Sequence, residues 1–96
     1  MESLKGKKVL ITGATGGIGQ QTAKLLAGSG AVVYLSGRSR EKLNAIAAQL
    51  GVPEEHTYAA ALNQPDEVMA MGNHFIQLAG AMDILVNAAG IGIIKP

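Results

Sequence analysis

Residues Val9 to Gly19, VLITGATGGIG, constrain this chain more than any other stretch. A short apolar run of strand character empties directly into a glycine-rich turn, and a helical pattern begins inside that turn. Strand, tight turn and helix in direct succession fold the helix back against the strand it left. The orphan N–H groups of the first helical turn, with the positive end of the helix dipole, then face outward beyond the strand end. That arrangement builds an anion site suited to phosphate. Glycine-rich loops also serve as turns and nothing more, so the rest of the chain has to decide.

The alternation continues to the end of the sequence. Strands are expected at about Lys8 to Thr12, Ala31 to Ser36, Thr57 to Ala61 and Asp83 to Asn87. The first helix starts at Gly17, sets Ile18, Thr22, Leu25 and Leu26 along one side, and stops near Gly28-Ser29-Gly30. Ser39 is a plausible N-cap for the second, whose apolar face is Leu43, Ile46, Ala47 and Leu50, with Gly51 and Pro53 ending it. The third opens at Pro65, carries Asp66 and Glu67 in its first turn, and presents Val68, Met71, Gly72, Phe75, Ala79 and Met82 to the core. Met69 and Met71 could form an adaptable binding surface, but Met71 falls on the apolar stripe and reads better as core.

A β-α-β-α-β-α-β succession with short connections gives a parallel sheet with right-handed crossovers. The fold class is therefore α/β, a single domain over residues 1–96. The expected strand order is 3-2-1-4, a truncated version of the doubly wound, Rossmann-like nucleotide-binding sheet. The fourth strand, with Ile84, Leu85 and Val86, would be an apolar edge. Such an edge calls for a homo-oligomer, for example fourth strands paired about a two-fold axis, or for completion by another chain.

The glycines follow the spacing Thr-Gly-x-x-x-Gly-x-Gly at Thr12, Gly13, Gly17 and Gly19, and Asp83-Ile84-Leu85-Val86-Asn87-Ala88-Ala89-Gly90 forms a second motif at the expected separation. In both, the chain resembles the short-chain dehydrogenase/reductase family, over essentially its whole length but only over the first part of a family member. The resemblance implies a nicotinamide dinucleotide whose pyrophosphate lies against the backbone of Gly13 to Gly19, Gly17 included. Thr15 and Gly16 would line the adenosine phosphate side, and Ile18 would offer its N–H. Gly19 would serve close helix–strand packing. Asn87 would tie neighbouring strands together near the nicotinamide ribose, with the small Ala88, Ala89 and Gly90 allowing close approach. Thr12 admits two readings, a side chain that shapes the turn or an ordinary last strand residue. After the third strand many relatives carry Asp or Asn for the adenine amino group. Ala61 stands here instead, followed by Leu62 with its backbone available and by Asn63 close by.

The end of the second strand, Ser36-Gly37-Arg38-Ser39, bears on which dinucleotide binds. NAD-specific relatives carry an acid where this chain has Gly37, because a carboxylate accepts from the ribose hydroxyls and repels a 2′-phosphate. Arg38 instead offers a planar guanidinium flanked by the Ser36 and Ser39 hydroxyls. One charge-assisted contact would favour NADP(H) over NAD(H) by roughly tenfold to a hundredfold. The plainer reading is a solvated arginine near the second helix.

Other function classes find little support. A net charge of +1, with Lys5, Lys7 and Lys8 as the only basic cluster, gives no stripe for nucleic acid or a membrane surface. The absence of cysteine and of a long apolar stretch fits a cytoplasmic protein. His56 and His74 have no partners at metal-ligand spacing and suit structural or surface roles.

In the family, the proton-donating tyrosine, the lysine four residues after it and the orienting serine lie beyond the fourth strand. No residue of this chain is therefore assigned a catalytic role. Tyr34 and Tyr58 sit on early strands, far from where the nicotinamide would lie. Two functions remain: the NADP-binding portion of a carbonyl reductase, closest in look to 3-oxoacyl-[acyl-carrier-protein] reductases, or a non-catalytic module that binds nucleotide weakly or self-associates through its fourth strand.

Overall fold

The computed structural model describes residues 4–88. Strands β1 (Lys8–Thr12), β2 (Val32–Gly37), β3 (Thr57–Ala59) and β4 (Ile84–Asn87) form one parallel sheet in the order β3-β2-β1-β4. The connecting helices are α1 (Gly17–Gly28), α2 (Arg40–Leu50) and α3 (Pro65–Ala79). This is the α/β, Rossmann-like architecture that the alternating pattern leads one to expect.

Strand alternation sorts the core into two layers. Val9 and Ile11 of β1, with Val33 and Leu35 of β2, pack against Ala23 of α1 and Leu43, Ile46 and Ala47 of α2. Leu10 and Tyr34, the residues between them, face the opposite side and meet Met71 and Phe75 of α3. Val68, Ala79 and Met82 pack at the margin of that second layer, and Met69 is exposed. The apolar stripe of α3 is therefore core. His56 stacks on Tyr34 at 4.2 Å between ring centroids and His74 lies 4.8 Å from Tyr58, so both histidines border the same aromatic group.

The helix ends follow local chemistry. The Ser39 hydroxyl accepts from the Lys42 N–H at 3.1 Å, and Gly51 closes α2 at φ 72°, a left-handed conformation that glycine adopts without steric cost. Pro65 occupies the first turn of α3, where a missing N–H costs no helical bond.

Strand boundaries differ by a residue or two from expectation, each for a hydrogen-bonding reason. Ala31 gives its N–H to Leu26 at the end of α1, so β2 starts one residue later and runs on to Gly37, which pairs with Ala59. Strand β3 ends before Ala61 because the Ala61 N–H is taken by the Glu67 carboxylate, at 2.9 Å, from the first turn of α3. Asp83 stands just ahead of β4, its carboxylate accepting from the Lys8 N–H at 2.9 Å. A short 3-10 turn over Glu54–His56 delivers the chain into β3 and carries no periodic signal.

Candidate functional site

All four strands end on the same side of the molecule, and a cleft of about 580 Å³ lies there. Its floor is the turn after β1. Gly13 adopts φ 71°, a value that favours glycine, and reverses the chain; the Ala14 N–H then bonds the Ser36 carbonyl at 3.0 Å and fixes the turn to β2. Helix α1 opens from this turn with Gly16 as its N-cap. Gly16 has no side chain to accept the first-turn N–H groups, and no acidic residue stands in that turn. Helices α2 and α3 differ, since Ser39 caps one and Asp66 and Glu67 occupy the first turn of the other. The amino terminus of α1 thus keeps free donors facing the cleft, a place for an anion.

Close packing holds the cradle in shape. Gly19 is buried against the turn, and a Cβ added there would lie 2.1 Å from the Gly13 carbonyl oxygen and 2.8 Å from the Ala14 Cα. No substituent fits at that distance from backbone atoms. The Gln20 side chain donates to the Thr15 carbonyl at 2.9 Å, closing the turn from the helix side.

Of the residues expected at a cofactor site, Gly13, Thr15, Gly16, Gly17, Ile18, Gly19, Arg38, Leu62 and Ala88 line this one cleft. Arg38 is exposed at its rim, immediately after β2. Ile18 is 51% exposed, unusual for isoleucine in a helix that buries its other face, and it faces the same space. Every lining residue is uncharged except Arg38, so the described wall carries one cation and no carboxylate.

Three expected residues stand apart. Ser36 does not reach the wall: at 1% exposed it points to the α3 side, two positions from Tyr34 on the same strand, and its Oγ has no partner. Asn87 lies off the wall as well, its Oδ1 accepting from the buried Thr12 hydroxyl at 3.0 Å across β1 and β4. Thr12 is the last residue of β1, and its side chain bonds across to β4 rather than to the glycine turn. Gly90, with Ala89, lies outside the described residues.

The structure adds Gly37, Ala60 and Asn63 to the wall. Asn63 is the polar residue following β3, and its place just past the strand end was the one available signal; Ala60 has no signature beyond strand position. The Ala61 amide, held by Glu67, is not free for a ligand.

A backbone anion cradle and, across the strand ends from it, an arginine give this cleft two places of positive potential. Residues 7–96 match the short chain dehydrogenase family. The chain belongs to that family. Among curated relatives of this short-chain dehydrogenase chain, the nodulation protein G of Rhizobium sp. (strain N33) is 45% identical over 91 residues, covering 95% of this chain and 37% of the relative. A metagenomic short-chain oxidoreductase solved in complex with NADP superposes with a TM-score of 0.82 at 32% identity, over 98% of this chain and 47% of its own. A glucose/ribitol-type short-chain dehydrogenase/reductase from Brucella melitensis gives 0.77 at 34% identity, over 85% and 35%. The short-chain dehydrogenase chain described here thus spans less than half the length of the relatives it matches.

Proposed function

We propose that the cleft at the strand ends binds a nicotinamide dinucleotide, NADP(H) in preference to NAD(H), and that the chain is the cofactor-binding part of a carbonyl-reducing oxidoreductase. One observation carries this reading. The uncapped, side-chain-free amino terminus of α1 and the Arg38 guanidinium open into one cleft, which no carboxylate lines among the described residues. A pyrophosphate needs the first of these, and a 2′-phosphate needs the second.

The residues present fit the dinucleotide. The amides of the turn and of the first turn of α1 hold the pyrophosphate, Arg38 pairs with the 2′-phosphate, and Leu62 with Asn63 borders the adenine. Asn63 supplies an amide where Ala61 offers none. Ala88 is small and lets the nicotinamide ribose approach β4, while the Thr12–Asn87 bond holds that strand end in register. Bound NADPH supplies a hydride for a carbonyl carbon. The 3-oxoacyl thioester of an acyl-carrier protein is the proposed substrate class, supported by the likeness of Ser36-Gly37-Arg38, the α2 face and Asp83 to Gly90 to such reductases. The proton-donating groups belong to sequence that family members carry after β4.

A second reading concerns assembly. Among the described residues β4 pairs only with β1, and Leu85 on it is 64% exposed. Self-association through β4, or completion by another chain, covers that edge. A cytoplasmic setting suits the cysteine-free sequence, and no described helix is long and apolar enough to cross a membrane.

Amide hydrogen exchange tests the cofactor reading. NADPH is expected to slow exchange at Gly16 to Gly19 and around Arg38, and to leave the far end of the sheet near Pro53 unchanged. Uniform or absent protection at saturating NADPH contradicts it.

A further inference from the structure

Gly37 lines the cleft between the anion cradle and Arg38, and its backbone is in a conformation open to any residue. The requirement for glycine there comes from a neighbour. A Cβ at position 37 would lie 2.9 Å from Thr15 Cγ2 and 3.2 Å from Thr15 Oγ1, while its contact with Leu43 Cδ2, at 3.5 Å, would be ordinary. Both heavy atoms of the threonine fork therefore face Gly37. Threonine has three staggered positions for two heavy substituents, so if two of those positions face Gly37, every rotamer leaves at least one substituent there. Rotation of Thr15 cannot clear the space.

We infer that Thr15 is a specificity-determining residue: by filling the space beside Gly37 it bars a side chain at 37, above all the acid that would accept from the ribose hydroxyls of NAD(H). The inference rests on the cofactor reading above and deepens it. Selection against NAD(H) then has two parts, an arginine that attracts the 2′-phosphate and a threonine that keeps the competing carboxylate out. A serine at position 15 has only one heavy substituent and one rotamer that points away, so it should release the restriction in part; alanine should release it fully.

Two measurements on the full chain test this, one without nucleotide. In thermal melts, Gly37→Ala should lower Tm by about 4–8 °C with Thr15 present. In the Thr15→Ala background the same change should lower it by much less. In titrations, Gly37→Asp alone should gain little NADH affinity, whereas Gly37→Asp in the Thr15→Ala background should bind NADH about tenfold more tightly than either single variant. Thr15→Ser with Gly37→Asp should fall between. If Gly37→Ala melts alike in both backgrounds, or if Gly37→Asp alone binds NADH as tightly as the double variant, the inference is overturned while NADPH binding by the unaltered chain stands. If the unaltered chain binds neither nucleotide, the cofactor reading fails and takes the specificity role of Thr15 with it, whatever the melts show.

Discussion

Gly19 and Gly13 meet so closely that the Gly13 carbonyl oxygen lies 2.1 Å from where a Cβ on residue 19 would stand. Contact at this range involves backbone on both sides, so neither partner can rotate away. Gly19→Ala must push α1 off β1 or distort the turn. Overpacking of this kind costs about 1–3 kcal/mol, and backbone opposition places this case at or above the upper end. Urea denaturation is expected to show that loss, together with a weakened anion cradle. A Gly19→Ala midpoint equal to that of the unaltered chain would contradict the close packing.

Thr12 and Asn87 are joined across the only strand pair that β4 makes among the described residues. Thr12 is 5% exposed, so its hydroxyl gains from a partner that water cannot readily replace. A double-mutant cycle with Thr12→Val and Asn87→Ala is expected to give a coupling of about 0.5–1.5 kcal/mol in denaturant unfolding. Additive losses would mean that the two side chains do not cooperate.

Tyr34 introduces a pH dependence at the alkaline end. Its ring is buried between His56 and Phe75, and burial raises its hydroxyl pKa above the usual 10.0 by disfavouring the phenolate. The folded form therefore holds its proton to higher pH than the unfolded form. This contribution is fully present below about pH 10 and is lost as pH rises from there through the folded value. Denaturation midpoints measured from pH 8 to 11 should fall above 10, and Tyr34→Phe should reduce the slope.

The edge strand gives a prediction about assembly. Ile84 and Leu85 are 36% and 64% exposed on a strand that, among the described residues, pairs on one side only. Sedimentation over a range of concentrations is expected to show self-association of the chain, and Leu85→Lys should shift it toward monomer. A monomer at all concentrations would argue for completion by a different chain.

Much of this was legible because the dominant signals are local. The glycine turn, the Ser39 cap, Pro65 and the stripe from Val68 to Phe75 each specify structure within a few residues, and the parallel order then follows from the crossovers. The positions that escaped depend on contacts distant in sequence. Ser36 stands two residues before Arg38 in the chain, yet it is still within β2, on the Tyr34 face, and is buried in the α3 layer, while Arg38 lies past the strand end and is exposed. The role of Gly37 is visible only with Thr15 beside it, 22 positions earlier in the chain. Asn63, by contrast, was visible as the polar residue just past the third strand, and it lines the wall.

Calorimetric titration of the purified chain with NADPH and with NADH, repeated on Arg38→Ala, tests the central claim most directly. Saturable binding with NADPH favoured by roughly tenfold to a hundredfold, and loss of most of that preference in Arg38→Ala, is the expected result. No binding of either nucleotide by a folded sample, or an NADPH preference that survives Arg38→Ala unchanged, would contradict the account.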